Sequence, residues 1–333
     1  MSDDTRYTYA VARVRGMETR LLDRQWVERL LSEDGEGALK VLGDSDFQEH
    51  LSEVQRPEDI EKGLVGALAS TLSTLSDVSP EPALMDLFRV RQDVRNLKSL
   101  LKRSLLKLEA EDIGLVDGVG LLPVGVLEKA VQDHDYISLP SFMADAAKRA
   151  EETFRDRGEL ADVDGTLERA LWAHQLEVAE DYGNEFLVGY LRAEIDLMNI
   201  RTAVRIKARG GERDDVAAAF VPGGTLDRSF FETAVSEPLD ALARALEYGA
   251  YGELAEVLRE WSQDRFYSLD LACDNILLAT TESARTTAYG IEPLVAFVLR
   301  RRLEIKLIRA AVVAKLDGLV RAAVEERLRS IHV

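Results

Sequence analysis

Leu22-Asp-Arg-Gln-Trp-Val-Glu28-Arg-Leu-Leu31 returns as Leu122-Pro-Val-Gly-Val-Leu-Glu128-Lys-Ala-Val131 and again as Leu226-Asp-Arg-Ser-Phe-Phe-Glu232-Thr-Ala-Val235. A second segment keeps step with it: Asp93-Val-Arg-Asn96-Leu-Lys98, Asp196-Leu-Met-Asn199-Ile-Arg201 and, more loosely, Glu304-Ile-Lys-Leu-Ile-Arg309. The first series advances by 100 and 104 residues (22 to 122 to 226), the second by 103 and 108 (93 to 196 to 304). Two markers at nearly constant spacing indicate three copies of one unit. The expected organisation is therefore three repeats, 1–115, 116–218 and 219–333, in a shape with approximate threefold symmetry. Such a shape suits a ring-like partner better than a small substrate.

The periodicity within the copies is helical. Leu87, Val94, Leu97, Leu101, Leu105 and Leu108 follow three-and-four spacing, as do Leu187, Leu191, Ile195 and Met198. Near the end of the chain Leu294, Val298, Ile305, Ile308, Val312, Leu316 and Leu319 make one stripe, and Leu303, Leu307, Ala310 and Ala314 another on roughly the opposite side. A helix that is apolar on two faces is expected to lie between neighbours. Ser79-Pro-Glu-Pro82 reads as a helix start with Ser79 as N-cap and Pro80 in the first turn. Glycine-rich breaks at 112–120 and 209–215, with Pro222-Gly-Gly224 beyond, place the boundaries near 115 and 218. Alternating β-branched runs joined by hairpin turns are absent, so the predicted class is all-α with very little strand.

The 333 residues carry 42 basic and 60 acidic side chains, a formal net charge of −18. Such a chain is repelled by phosphate backbones and anionic lipid, which argues against binding nucleic acid or inserting directly in a membrane. No apolar run approaches the roughly 20 residues that span a bilayer, and the polar start Met1-Ser-Asp-Asp-Thr-Arg does not read as a secretory signal. The single Cys273 cannot form an internal disulfide and fits a reducing, cytoplasmic setting.

The chain offers little for chemistry. There is no Gly-x-x-x-x-Gly-Lys-Ser/Thr to cradle phosphates, and Gly35-Glu-Gly37 and Gly118-Val-Gly120 read as turn glycines. One cysteine and four scattered histidines do not supply a structural zinc site, and neither His-Glu-x-x-His nor Gly-x-Ser-x-Gly occurs. His174 reads as a structural histidine at the edge of an apolar stripe, and His134, between Asp133 and Asp135, as a solvated loop residue. Asp270 and Asp274, four apart, would share a helix face without forming a convincing metal site. Asp93 with Asn96 and Asp196 with Asn199 read as polar pairs cross-linking helices within each unit, because buried polar groups need partners whether or not they react. No catalytic residue, cofactor or metal ligand is therefore assigned. Arg300, Arg301, Arg302 and Lys306 are the candidate partner-interface residues, a basic run able to dock an acidic surface.

Tyr7-Thr-Tyr-Ala-Val-Ala-Arg13-Val-Arg15, the two Asp-x-x-Asn helices, Pro222-Gly-Gly224, Tyr289-Gly-Ile-Glu-Pro293 and Glu304-Ile-Lys306 with Lys315 together resemble the C subunit of archaeal and bacterial V-type (A-type) ATPases, the counterpart of the eukaryotic d subunit. The likeness runs from about residue 7 to 330. It implies an all-helical funnel of three similar domains, one copy per rotary complex. It also implies a seat on the cytoplasmic face of the membrane, held peripherally by the proteolipid ring, with the foot of the central stalk in the cavity. Family members of this kind hydrolyse nothing and carry torque, so the expectation is a non-enzyme rotor subunit serving proton or sodium transport or ATP synthesis. The third copy departs from the pattern, with Glu304 and Leu307 where the others have Asp and Asn. Two other readings remain: a helical-repeat adaptor forming an open solenoid, and an all-α hydrolase or lyase built on Asp93, Asp196 and their asparagines.

Overall fold

The computed structural model describes residues 5–22, 24–33, 35–51, 59–108, 114–262 and 266–316, and among these every regular element is a helix. The elements are α1 (Thr8–Glu18), α2 (Arg24–Ser32), α3 (Gly35–Gly43), α4 (Gln48–Leu51), α5 (Asp59–Val78), α6 (Pro82–Leu105), α7 (Val124–Gln132), α8 (Ser141–Arg157), α9 (Leu160–Asp181), α10 (Glu185–Ala208), α11 (Arg213–Ala219), α12 (Arg228–Ser236), α13 (Leu239–Leu246), α14 (Glu253–Arg259), α15 (Phe266–Thr280) and α16 (Glu292–Leu316). The all-α class follows from the three-and-four periodicity. The chain divides into two compact units, 1–85 with 274–333 and 86–273, so one division falls within α6 and the other within α15.

In the first unit α16 packs against α1, α3 and α5. Ile305, Leu307, Ile308, Ala311 and Val312 of α16 share a core with Leu22, Leu30 of α2, Leu42 of α3, Phe47, and Leu64 of α5. In the second unit Val90, Val94, Leu97 and Leu101 of α6 share a core with Leu127 of α7, Met143 and Ala147 of α8, and Val163 and Leu167 of α9. The two cores are built alike. Each joins a long helix carrying the Asp/Glu marker to the short helices that follow a marker leucine. The two-sided stripe of α16 is accounted for in the same way: Leu294 through Leu299 are all buried, so the helix is covered on more than one face. Leu319, the last member of that stripe, lies outside the described residues.

Helix ends correct the sequence reading in two places. The sixth helix starts at Pro82; Ser79 Oγ accepts from Glu81 N at 3.2 Å, which closes a turn ahead of the helix, so Pro82 and not Pro80 occupies the first turn. At its other end the apolar spacing continues to Leu108, but the helix stops at Leu105. Lys107 turns left-handed at φ 54°. Leu108 N then donates back to Arg103 O at 3.1 Å, a Schellman closure that satisfies carbonyls the helix leaves over.

Candidate functional site

The polar marker pairs do not cross-link helices within a copy, as their spacing suggested. They hold the backbone that leads into the next copy. Asp93 on α6 accepts from Leu121 N at 2.8 Å and Leu122 N at 3.2 Å. Asn96, one turn on, receives Val116 N at 3.1 Å and donates to Val116 O at 2.7 Å. Asp196 on α10 does the same one copy later, accepting from Thr225 N at 2.8 Å, Thr225 Oγ1 at 2.6 Å, Leu226 N at 3.0 Å and Tyr251 Oη at 2.7 Å. Asn199 exchanges two bonds with Val221, at 2.8 and 3.1 Å. The reason is local. These lead-in segments are irregular, and their N–H groups have no helix partner, so buried side chains must supply the acceptors. A helix presents residues three apart on one side, so one Asp and one Asn grip two points of one loop.

The third copy closes the series. Glu304 on α16 accepts from Leu22 N at 2.5 Å, so the last marker helix holds the lead-in of the first repeated segment. Leu22, Leu122 and Leu226 are thus equivalent donors, and α2, α7 and α12 each begin two residues after them. A second set of ties follows the same order. Lys98 of α6 pairs with Glu168 of α9, Arg201 of α10 with Asp270 of α15 at 3.2 Å, and Arg309 of α16 with Glu61 of α5 at 2.7 Å. The basic residue five positions after each marker acid always reaches an acid on a helix of the next copy, and the last reaches the first.

Glycines that read as plain turns belong to the staples. A Cβ on Gly120 would collide with Asp93 Oδ1, and one on Gly224 would collide with Asp196 Oδ1. Each glycine sits two residues before its marker leucine, and only hydrogen there lets the carboxylate approach the backbone. At the third staple the equivalent position is Arg20, and the longer Glu304 reaches one backbone N–H instead of two.

The electrostatics of the third staple differ accordingly. Glu304 Oε2 pairs with Arg301 at 2.9 Å, and Arg301 turns its other end to Asp46 at 2.8 Å. The Arg301 guanidinium also lies 5.0 Å from the ring centroid of Phe47 and 5.6 Å from that of Phe297. Burial pushes the Glu304 carboxyl up to about 7, with Asp46 adding to the rise and Arg301 and the Leu22 N–H opposing it. Asp93 also lies above the ordinary carboxylate range. Burial is the cause, outweighing the Leu121 and Leu122 N–H groups and Arg89. Burial and the bond to Asp196 hold the Tyr251 hydroxyl well above its usual value.

The basic run of α16 separates by depth. Arg301 is 4% exposed and engaged on both sides. Arg300 is partly covered and lies 3.7 Å from Glu18, Arg302 is exposed, and Lys306 is half-exposed and paired with Asp274. Asp270 and Asp274 are therefore each matched with cations, and among the described residues no group of three or more potential metal ligands occurs. His174 stacks on Phe142 with ring centroids 4.1 Å apart, and burial lowers its pKa. His134 is the left-handed residue ending α7, with Nδ1 2.8 Å from Glu151, an acid shared with the Tyr136 hydroxyl. Asp93 and Asp196 are taken up by two different loops, and neither lines the cleft on α8 and α9 described below. Among the described residues no helix is long and apolar enough to cross a membrane.

A family model described as "ATP synthase (C/AC39) subunit" matches residues 10–327. The chain is 23% identical over 320 residues to the C subunit of the V-type sodium ATPase of Enterococcus hirae, covering 96% of this chain and 97% of that protein. It is 26% identical over 333 residues to the C subunit of the A-type ATP synthase of Thermococcus kodakarensis, covering 97% and 90%. It is 27% identical over 332 residues to the A-type ATP synthase C subunit from Desulfurococcus sp., covering 94% and 87%.

Proposed function

The chain belongs to the ATP synthase (C/AC39) subunit family, and on that premise we propose that it is the non-catalytic rotor subunit joining the central stalk of a V/A-type rotary ATPase to the membrane proteolipid ring. Three repeats, 1–115, 116–218 and 219–333, form a funnel about an approximate threefold axis at the cytoplasmic face of the membrane. The observation that carries this reading is the order of the staples: Asp93 to Leu122, Asp196 to Leu226, Glu304 to Leu22. An open solenoid leaves its last repeat without a following neighbour, whereas here the last marker helix holds the first lead-in. A torque-bearing part needs stiffness in rotation, and buried charge-assisted bonds between successive repeats resist shear more directionally than apolar contact.

The staples also bear on the enzyme reading. Asp93 takes two backbone N–H groups and Asp196 two backbone N–H groups with two hydroxyls, a use of the carboxylates that suits holding a loop better than accepting a proton from substrate. Of the basic run, Arg302 and Lys306, with partly covered Arg300, are the members placed to meet a partner, while Arg301 serves inside. The decisive experiment removes this subunit from the intact complex. ATP hydrolysis by the catalytic head should persist while ATP-driven ion transport is lost. Transport that continues undiminished without the subunit rejects the coupling role, and loss of hydrolysis from an otherwise intact head would point to a catalytic contribution.

A further inference from the structure

A cleft of about 620 Å³ opens on the second unit between α8, α9, the end of α11 and the start of α12. Its lining brings three arginines, Arg157 of α8, Arg169 of α9 and Arg228 of α12, together with one acid, Asp162. Asp162 answers Arg157 and Glu232 answers Arg228, so in a chain of net charge −18 the cleft still holds one guanidinium more than its acids balance, and like charges brought together cost energy unless something answers them.

Arg169 is the positioned member. Its Nη1 donates to Ala218 O at 2.7 Å, and Gly165 leaves room beneath the guanidinium, since a Cβ there would press on Nη1 and on Ala218 O. Burial lowers the Arg169 pKa, with Asp162 opposing and neighbouring Arg149 adding to the fall. Arg157 lies 3.8 Å from Asp162 and Arg228 2.9 Å from Glu232, both with side chains more than half exposed. These two are oriented at the rim and remain open to solvent. The opposite wall is apolar, from Phe220 and Pro222. That wall is fixed by the second staple, because Asn199 grips Val221 between them through both its N–H and its carbonyl. The cleft therefore has the attributes of a prepared site: an anchored guanidinium, two solvent-facing ones and a rigid apolar side.

We propose that this cleft binds a small organic phosphate, with the phosphate held by Arg157, Arg169 and Arg228 and its organic part against Phe220 and Pro222. The three guanidinium groups line one cleft from three different helices, and a tetrahedral, multiply charged anion has oxygens enough to accept from all three, which a planar monocarboxylate has not. The volume lies within the range of small-molecule sites and exceeds what a lone phosphate fills.

The test is isothermal titration of the purified full chain with inorganic phosphate, pyrophosphate and ADP, each at ionic strength matched with chloride. ADP should bind saturably and more tightly than inorganic phosphate, and the double substitution Arg157→Ala/Arg228→Ala should weaken ADP at least tenfold with an unchanged melting temperature of the free protein. Arg169→Lys, which keeps the charge but loses the fork that spans Ala218 O and ligand, should weaken it as well. Heats no greater than those of chloride, or equal affinity in the double variant, overturn the site. Phosphate binding as tightly as ADP overturns the organic part. Poly-glutamate binding where the phosphates do not would assign the cleft to an acidic protein segment and overturn the proposal.

Discussion

Asp196→Asn keeps the size and shape of the side chain at the second staple and removes only its charge. The carboxylate there is fully buried and takes four donors, three on Oδ2 and one on Oδ1. An amide offers one oxygen and one NH2. If the NH2 replaces Oδ1 it faces the Leu226 N–H; if it replaces Oδ2 it faces the Thr225 N–H, while the Thr225 and Tyr251 hydroxyls can turn away. In either orientation one buried backbone N–H loses its acceptor, at about 1–3 kcal/mol. The surviving bonds also lose their charge assistance, roughly 1 kcal/mol more. The sum is a loss of about 2–4 kcal/mol, read as a fall in the urea midpoint at unchanged m. Gly224→Ala, which sets a methyl against the same carboxylate, should move stability the same way. A loss under about 0.5 kcal/mol for Asp196→Asn, the range of surface substitutions, would refute the view that this charge secures the lead-in of the third copy.

Two further outcomes follow from the third staple. Glu304 has its folded pKa raised from 4.5 to about 7, so the folded protein holds this proton more tightly than the unfolded chain. Its contribution to stability is full below about pH 4.5 and is lost as pH rises toward 7, a difference of roughly 3 kcal/mol; melting curves of wild type and Glu304→Gln across that window should converge in slope only if other groups carry the effect. Arg301→Met strands the buried Glu304 carboxylate, while the more exposed Asp46 keeps Arg20, and should cost about 3–5 kcal/mol, whereas Lys306→Ala, at a half-exposed pair, should cost less than about 1 kcal/mol; equal losses in chemical denaturation would contradict the difference in depth.

Much of this was legible in sequence. Periodicity of three and four gave the helices, because burial of one face imposes that spacing whatever the partner. Recurrence of Leu22, Leu122 and Leu226 with the Asp or Glu markers picked out the three backbone N–H groups that those acids hold. The boundaries of α6 escape the sequence because capping depends on which backbone groups stay unpaired. Ser79 reads as a cap in sequence but bonds within a turn that precedes Pro82.

The partners of the markers were not legible. Asp93 and Asn96 announce a polar pair on one helix face, yet nothing local says that the pair will hold Leu122 and Val116 instead of a neighbouring helix. Arg301 and Arg302 are adjacent in a basic run, and only packing decides that one is enclosed by Phe47 and Phe297 while the other faces solvent. Gly120 and Gly224 carry the signature of turn residues, and only the approach of a carboxylate supplies the reason for them. Sequence by itself determined the helices, the recurrence of the markers and the chemistry available at each, since these depend on spacing along one chain. The tertiary structure decided which segment each marker holds and that Glu304 returns to Leu22, because a side chain's hydrogen-bond partner is set by distances between segments that lie far apart in sequence.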